Sequence, residues 1–346
     1  MQPLRIVCDA NIPAAEDAFG RLGTVRLLPG HGITRAALQD ADVLLVRSVT
    51  RVDASLLEGT PVRFVGTATA GVDHVDTEAL ARLGVAFASA PGSNATSVVE
   101  YVLASLLEVA VSDGVELPGK VLGVVGAGAV GGRLVPRARA LGMEVLVCDP
   151  PRADAGHTDH DYRPLGDVLA EADIVTLHTP LTAPGESPWP TRAMIGAEAL
   201  AAMRTGAVLV NAARGAIVDG DALLAARSRL SAIVLDCWPG EPAPAPALVA
   251  AADLATPHIA GYSAEGKLNG TVMVDAALRS WLAGTGAAVA PWPGPPAVSP
   301  RLLDAPDYGP DPGADGPWQT SWLADLQGNA YSVWTDDSRF RAAMAA

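Results

Sequence analysis

Residues 121–131 read Val121-Leu122-Gly123-Val124-Val125-Gly126-Ala127-Gly128-Ala129-Val130-Gly131, an apolar run followed at once by closely spaced glycines. Glycines at positions 126, 128 and 131 permit a tight turn, close approach of the backbone to a pyrophosphate, and close packing of a helix on a strand. The stretch therefore predicts a strand, a turn and a helix that open a dinucleotide-binding unit. Chains rich in Ala and Gly produce such spacing by chance, so the turn alone is weak evidence.

The acid at the end of the next apolar run strengthens this prediction. The run Val145-Leu146-Val147-Cys148 ends at Asp149, eighteen residues after Gly131. A carboxylate there hydrogen-bonds the ribose hydroxyls of NAD and repels the 2′-phosphate of NADP. We therefore predict NAD as the cofactor, bound by Gly126, Gly128, Ala129, Val130, Gly131 and Asp149. Arg152 lies near enough in sequence to offset part of the preference for NAD.

Length and charge narrow the class of protein. The chain has 346 residues, enough for two domains with full cores, and a formal net charge of −14. An acidic chain is poorly suited to nucleic acid or to an anionic membrane surface, so neither is expected as a partner. Anionic ligands must then be held by local arginines against an unfavourable overall field.

Cysteine usage and the N-terminus indicate the compartment. The three cysteines, Cys8, Cys148 and Cys237, lie far apart, which fits reduced thiols better than a disulfide framework. Residues 1–5 lack the organisation of a signal peptide. Gly, Pro or charged residues interrupt the apolar stretches, so no segment is expected to span a bilayer. We predict a cytoplasmic protein.

Alternating strand-like and helix-like segments predict the fold class. Strand-like runs occupy residues 4–8, 43–46, 63–66 and 85–88 in the first ninety residues, then 121–125, 144–148, 174–178, 207–211 and 233–236. Helical spacing of apolar residues is found at 12–22, 78–83, 95–110 and 265–282. This alternation is typical of parallel α/β sheets. We predict two doubly wound, Rossmann-like domains with the active site in the cleft, plus a short C-terminal tail or module.

The predicted boundaries follow from these segments. Residues 1–93 and 262–285 are expected to form a substrate-binding, flavodoxin-like domain, and residues 94–261 the NAD-binding Rossmann domain. Residues 286–346 begin with a stretch dense in Pro and Gly, typical of a linker. The aromatic residues that follow, among them Trp318, Trp322 and Trp334, are unusual for a disordered tail and favour docking.

Three residues with catalytic side chains follow the glycine loop in order: Arg214, Glu241 and His258. Arg214 and Glu241 each come after a short apolar run, so both are expected near the carboxyl end of a parallel strand, where ligands bind. Taken singly, each is more often structural, as a surface ion pair, a solvated loop acid or a loop histidine.

Together, the three residues have the chemistry that hydride transfer at a 2-hydroxy acid needs. A guanidinium binds a carboxylate through two hydrogen bonds and polarises the neighbouring oxygen. An imidazole takes the hydroxyl proton while hydride leaves C2, and a carboxylate on its other nitrogen fixes the tautomer. Arg214, Glu241 and His258 are therefore predicted to be catalytic, with His258 as the acid/base.

The chain resembles the D-isomer-specific 2-hydroxyacid dehydrogenases, in which arginine, glutamate and histidine occur in this order. The resemblance extends over residues 4–283, and several strings are typical of one subfamily. They are Val46-Arg47-Ser48-Val49-Thr50, Gly66-Thr67-Ala68-Thr69-Ala70-Gly71, Asp73-His74-Val75-Asp76 and His258-Ile259-Ala260-Gly261-Tyr262.

The resemblance implies further site residues. It implies substrate contacts at Ser48, Thr69 and Tyr262, and cofactor contacts at Thr179, Asp236, Gly261 and the backbone of Ala129-Val130, Ala212 and Ala213, next to Arg214. The backbone N–H groups of Thr69-Ala70-Gly71 suit a substrate carboxylate. We infer that Arg47 and Ser48, with Arg51 or Lys267 as further candidates, receive a distal phosphate. The expected substrate is a small phosphorylated 2-hydroxy acid with four carbons.

Other interpretations stay open at this stage. The substrate could be 3-phosphoglycerate or a glyoxylate-type acid, and a binding protein that responds to NADH, like the C-terminal-binding-protein corepressors, has the same fold. No metal is expected: His74 between two acids is typical of a helix cap, and the polar cluster at residues 157–161 of a solvated loop. A homodimer is expected, although the sizeable C-terminal dimerisation domain of the subfamily is replaced here by about sixty residues past position 285.

Overall fold

The computed structural model describes residues 3–241, 243–285 and 292–294 of the chain. These residues form two compact units, one running up to Asn94 and resuming at Tyr262, the other running from Ala95 to Gly261. The predicted C-terminal segment, 286–346, lies outside the described residues except for 292–294. Of its tryptophans, the structure describes Trp292, which is buried and donates from Nε1 to Asp17 at 3.0 Å.

The first unit is built on a five-stranded, all-parallel sheet in the order β2-β1-β3-β4-β5. Its strands are β1 (Leu4–Asp9), β2 (Gly23–Leu28), β3 (Val43–Val46), β4 (Phe64–Thr67) and β5 (Ala86–Ala88). Its helices are α1 (Ala15–Phe19), α2 (Ala54–Leu57), α3 (Thr77–Arg82) and α11 (Ala264–Gly284), with 3₁₀ turns at Gly30–Gly32 and Arg35–Leu38. Apolar side chains cover both faces of this sheet, as expected when parallel strands are joined by helices.

Helix α11 explains why the chain returns to the first unit. Its buried residues Val274, Leu278 and Leu282 pack with residues of β1, β3 and β4. The side chain of Ser263 caps the helix by accepting from the backbone N–H of Gly266 at 3.0 Å. This capped start determines where Tyr262 and Lys267 lie.

The second unit is built on a six-stranded, all-parallel sheet in the order β11-β10-β9-β8-β6-β7. Its strands are β6 (Val121–Val125), β7 (Glu144–Cys148), β8 (Ile174–Leu177), β9 (Ala207–Asn211), β10 (Leu230–Leu235) and β11 (Leu254–Ala255). Its helices are α4 (Ala95–Asp113), α5 (Gly131–Ala140), α6 (Pro150–Asp154), α7 (Leu165–Glu171), α8 (Ala197–Ala202), α9 (Gly220–Ala226) and α10 (Pro246–Ala251), with 3₁₀ turns at Gly215–Ile217 and Arg227–Arg229.

Helix α4 corrects one expectation from the sequence. The helix is long enough and apolar enough to cross a membrane, with a mean hydropathy of 1.5. Judged by length and composition alone, the expectation that no segment could span a bilayer was therefore wrong. However, 67% of the same stretch is buried inside the structure. Its side chains pack with those of β6, β9 and β10 in the core of the second unit, which is why they are apolar.

All nine predicted strands form, and two further strands were missed. β2 is an edge strand whose residues are mostly solvated, so its sequence lacks the continuous apolar run of the central strands. β11 is only two residues long, too short for any periodicity. These two edge strands complete the two sheets, and β11 leads directly towards His258.

A glycine in β6 gives a test of the packing in the second unit. A Cβ added at Gly123 would meet Val168 of α7 at 2.6 Å and Ala172 at 3.0 Å. We expect Gly123→Ala to lower the free energy of unfolding by roughly 1–3 kcal/mol, because overpacking forces neighbouring groups to shift. Equilibrium urea denaturation of this variant and of the control below measures the difference.

The matched control is Gly166→Ala in the same helix α7, where an added Cβ meets nothing within 4 Å. That substitution should raise the free energy of unfolding by up to about 1 kcal/mol, because alanine favours the helix. Equal effects of the two substitutions would contradict the packing of α7 on β6.

Candidate active site

The glycine loop after β6 has the geometry of a phosphate-binding turn. Gly126 has a φ of 94°, which lets the chain turn sharply at the end of the strand. A Cβ at Gly131 would lie 1.9 Å from the carbonyl oxygen of Gly126, so helix α5 packs directly on the turn. A Cβ at Gly128 would meet nothing within 4 Å, and Ala129 is exposed, so this part of the loop is open to a ligand.

Asp149 is held against this loop at the end of β7. One carboxylate oxygen accepts from the backbone N–H of Ala127 at 2.8 Å, and the other caps α6 by accepting from the N–H of Arg152 at 3.1 Å. The guanidinium of Arg152 binds Tyr162 at 2.9 Å and Asp159 at 3.0 Å. The charge of Arg152 is thus paired with Asp159. Arg152 is therefore less able to offset the preference for NAD over NADP that the charge of Asp149 creates.

Thr179 borders the same loop after β8. Its hydroxyl is buried and has no hydrogen-bond partner among the described residues, and its Cγ2 lies 3.0 Å from where a Gly126 Cβ would sit. A buried hydroxyl without a partner is costly unless a ligand supplies one. Together with the open backbone at Gly128, it fits a bound dinucleotide. The neighbouring His178 is no competing base, because burial lowers its pKa to about 3.

The turn that carries Arg214 is fixed from within. Asn211, fully buried at the end of β9, donates to the carbonyl of Arg214 at 2.9 Å and accepts from the N–H of Ala213 at 3.1 Å. Next to Arg214, a Cβ at Gly215 would lie 1.9 Å from the carbonyl oxygen of Trp238. Only glycine therefore permits this turn to pack on the segment after β10, which leads to Glu241. Ala212 and Ala213 are buried in the turn, and Arg214 is half-buried.

Glu241 and His258 form a hydrogen-bonded pair. Nδ1 of His258 lies 2.8 Å from Oε2 of Glu241, and the other carboxylate oxygen accepts from the N–H of Trp238. A carboxylate accepts only, so Nδ1 carries the hydrogen and Nε2 is left to exchange a proton. The His258 side chain is 44% exposed, so a substrate has access to the imidazole.

Asp236 holds the segment that carries His258. It is 1% exposed, and its carboxylate accepts from Thr256 Oγ1 at 2.6 Å, from Ile259 N–H at 2.7 Å and from Ala260 N–H at 2.9 Å. Between these anchors His258 has a φ of 56°, a conformation unusual for a residue with a side chain. Such strain persists where surrounding contacts over-determine the backbone, and it is concentrated at functional sites.

The imidazole of His258 is also affected by its charged and polar neighbours. Partial desolvation opposes its protonation, but Cys237 and Glu241 outweigh this effect and raise the pKa of His258 well above its usual range. Burial raises the pKa of the Cys237 thiol to about 11, so the thiol is neutral at neutral pH. Glu241 is therefore the anion that stabilises the imidazolium.

The predicted substrate residues all lie in the first unit, near the carboxyl ends of β3 and β4 and at the start of α11. Arg47 is half-buried and donates to the carbonyl of Ala68 at 3.5 Å, whereas Ser48 is exposed. Thr69 Oγ1 lies 2.7 Å from Thr67 Oγ1 and donates to the carbonyl of Gly71 at 2.8 Å, which closes the turn through Ala70.

Lys267 and Tyr262 form a second contact in this unit. The Lys267 ammonium lies 3.6 Å from the centre of the Tyr262 ring, a cation–π distance. Burial lowers the pKa of Arg47, while Tyr262 and Asp9 act in the opposite direction. An arginine stays protonated under such shifts, so Arg47 remains a cation suited to an anionic ligand.

Several supporting residues were missed from the sequence. Tyr101 in α4 lies 2.7 Å from Thr256 Oγ1, and Trp238 Nε1 donates to the carbonyl of Thr256 at 2.8 Å. His74 was interpreted as a helix cap, which was wrong: it lies 2.9 Å from Thr67 Oγ1, and Asp76 caps α3. The signal available in the sequence for Thr256 was a polar residue directly after the apolar residues Leu254 and Ala255.

Comparisons with known proteins identify the family of this chain. Residues 106–260 match the model of the NAD binding domain of D-isomer specific 2-hydroxyacid dehydrogenases. Among solved structures, the TT0316 protein from Thermus thermophilus is similar with a TM-score of 0.70 and 28% identity, covering 84% of this chain and 99% of that one. The chain belongs to the D-isomer specific 2-hydroxyacid dehydrogenase family and is an NAD-dependent enzyme.

The curated relatives narrow the family further. Erythronate-4-phosphate dehydrogenase from Salinibacter ruber is 51% identical over 347 residues, covering 99% of this chain and 86% of the relative. The protein of the same name from Azotobacter vinelandii is 49% identical over 345 residues, covering 99% of this chain and 87% of the relative. The predicted fold class and the predicted NAD cofactor are confirmed.

The position of Asp149 leads to a test of cofactor preference. We expect Asp149→Asn to weaken NAD binding roughly 10–100-fold, because a hydrogen bond donated to a charged group contributes about 1.5–3 kcal/mol. The same change should improve binding of NADP, since the repelling charge is gone. Fluorescence titration with both dinucleotides measures the ratio. In the control Asp161→Asn, an exposed acid of the following loop, both affinities should stay unchanged; an unaltered ratio in Asp149→Asn would contradict the role of Asp149.

Proposed function

We propose that the protein oxidises 4-phospho-D-erythronate to (R)-3-hydroxy-2-oxo-4-phosphobutanoate in pyridoxal 5′-phosphate (vitamin B6) biosynthesis. The observation that carries the proposal is the 2.8 Å contact between His258 Nδ1 and Glu241. These residues follow the carboxyl ends of β11 and β10, and β10 is the neighbour of β9, which leads to Arg214. Relatives that bear the name erythronate-4-phosphate dehydrogenase, and of which this chain covers 86% and 87%, support the choice of substrate.

The proposed roles follow from the chemistry of the three side chains. NAD, when bound, would supply the acceptor for the hydride that leaves C2 of the substrate. In its neutral form, His258 takes the hydroxyl proton at Nε2, and Glu241 stabilises the imidazolium that results. Arg214 binds the substrate carboxylate and polarises the oxygen on C2, where negative charge develops as the proton leaves.

For the cofactor, we propose that the open backbone of Gly128, Ala129 and Val130 binds the pyrophosphate, with Gly126 and Gly131 shaping the turn. Asp149 would bind the ribose hydroxyls in place of its bond to Ala127. Thr179 offers a hydroxyl without a partner among the described residues. Further contacts are proposed for Ala212, Ala213, Arg214, Asp236 and Gly261, of which Asp236 is the weakest, because three donors of the chain already occupy its carboxylate.

For the substrate, we propose that the phosphate is bound by Arg47 and Ser48, next to Tyr262. Arg47 is favoured over Arg51 because the Arg51 side chain is 78% exposed and pairs with Asp53 at 3.3 Å. The turn Thr69-Ala70-Gly71 is closed by its own hydrogen bond, so its N–H groups are pre-organised for an anion.

A histidine variant tests the proposed proton transfer. We expect His258→Asn to lower kcat for oxidation by ~10²–10⁴-fold, the usual contribution of an acid/base group, while NAD binding changes little. Initial rates of NADH formation and a fluorescence titration give the two values. The control His31→Asn, an exposed histidine of the first unit, should keep the parent rate. Turnover at the parent rate in His258→Asn would refute the proposed role.

An arginine variant tests the proposed phosphate contact. Arg47→Gln should lower kcat/KM for 4-phospho-D-erythronate by roughly 10–100-fold, because a charged hydrogen bond is lost. With unphosphorylated D-erythronate, the same variant and the parent should have similar low values. Arg51→Gln is the matched control and should behave as the parent. A parent enzyme that prefers 3-phosphoglycerate or an unphosphorylated acid would exclude the proposed substrate.

Two further expectations stay predictions. A cytoplasmic location is supported by Cys8, Cys148 and Cys237, which are all free thiols and all buried. A homodimer is proposed on the resemblance to the family, some of whose members pair through the cofactor domain.

A further inference from the structure

One cysteine lies against the proposed catalytic pair. The Sγ atom of Cys237, one carboxylate oxygen of Glu241 and one ring nitrogen of His258 all lie within 4.8 Å of one another. Among the described residues, no other group of three such side chains comes together in this way. The proposed oxidation gives Cys237 no role, so its place in this cluster calls for another explanation.

The thiol of Cys237 is held in position by its surroundings. It is 0% exposed and donates to the carbonyl of Ala213 at 3.4 Å. Glu241 and His258 are the more exposed members, with side chains 29% and 44% accessible. A ligand therefore reaches the cluster from the side of Glu241 and His258 and meets the sulfur last.

We propose that these three atoms form a Zn²⁺ site on the catalytic pair. Thiolate, imidazole and carboxylate are the ligands that zinc takes in proteins, at about 2.3, 2.0–2.1 and 2.0–2.2 Å. Tetrahedral geometry at those lengths places the ligand atoms roughly 3.3–3.8 Å apart. The contact between Nδ1 and the carboxylate, now 2.8 Å, has to open by less than about 1 Å, and the sulfur has to approach. A water molecule or an anion takes the fourth position.

The donor set also selects among metals. Mg²⁺ and Ca²⁺ prefer oxygen ligands, whereas a sulfur and a nitrogen donor favour zinc or a similar transition metal. We therefore expect Mg²⁺ at millimolar concentration to leave the cluster unchanged.

Zinc at this site blocks the proton acceptor. Binding at Nδ1 displaces the hydrogen that the ring donates to Glu241, and binding at sulfur releases the thiol proton. The neutral ring then carries its hydrogen at Nε2 and has no free nitrogen to accept the hydroxyl proton of the substrate. This consequence for activity rests on the proposed role of His258, but the binding of the metal does not.

Cobalt binding to the full-length protein tests the site without using activity. Co²⁺ is added to chelator-treated enzyme, and the thiolate-to-cobalt charge-transfer absorption is recorded. We expect one equivalent to produce this band in the parent, Zn²⁺ to remove it, and Cys237→Val to lack it. The matched control is Cys148→Val, another buried thiol of the second unit, and it should retain the band. A band of equal strength in Cys237→Val, or none in the parent, would overturn the proposal.

Measurements of zinc inhibition then test the metal site and the proposed reaction separately. Each variant is compared with its own metal-free rate, and the Zn²⁺ concentration for half inhibition should rise at least about tenfold in Cys237→Val, since a ligand is lost. The second variant, Cys237→Ser, preserves the size of the side chain and should show the same rise in the Zn²⁺ concentration for half inhibition. A cobalt band without zinc inhibition supports the metal site and contradicts His258 as proton acceptor. Loss of turnover in His258→Asn, with no cobalt band in the parent, supports the reaction and overturns the metal site.

Discussion

The buried carboxylate of Asp236 is the interaction on which the site depends. It lies just after β10 and binds three donors from the segment that follows β11, at 2.6 to 2.9 Å. Leaving one such donor unsatisfied costs roughly 1–3 kcal/mol, so this segment has little freedom to take another path. Because it is anchored on both sides, His258 is held at a positive φ and its imidazole is directed at Glu241.

The order of the second sheet explains why residues far apart in the chain share one site. β9, β10 and β11 are neighbours and run parallel, so their carboxyl ends lie on one edge of the sheet. Arg214, Glu241 and His258 each follow one of these ends. Close approach of Gly215 to the Trp238 carbonyl then joins the first turn to the second, which a larger residue would prevent. The proposed catalytic set is thus a product of strand order together with one steric constraint.

The same proximity underlies the proposed role of Cys237 as a metal ligand. Cys237 directly follows Asp236 in the chain, and its thiol lies within 4.8 Å of the ligand atoms of Glu241 and His258. Chemistry that favours proton exchange at an imidazole also favours zinc, since both need an unprotonated ring nitrogen.

The sequence by itself determined the class of protein. Three local patterns indicate it: the glycine spacing after an apolar run, the acid at the end of the next run, and the order of Arg214, Glu241 and His258. Such patterns can be recognised without knowledge of the tertiary contacts. The central strands were equally clear, because buried parallel strands are continuously apolar. Tertiary structure alone decided what these residues touch: that Asp236 holds the histidine segment, that Asp149 binds the backbone of Ala127, that Thr179 is left without a partner among the described residues, and that Cys237 lies beside His258. The physical reason is that such contacts join residues on different strands, and their distances follow from sheet order and packing, which no single stretch of sequence encodes.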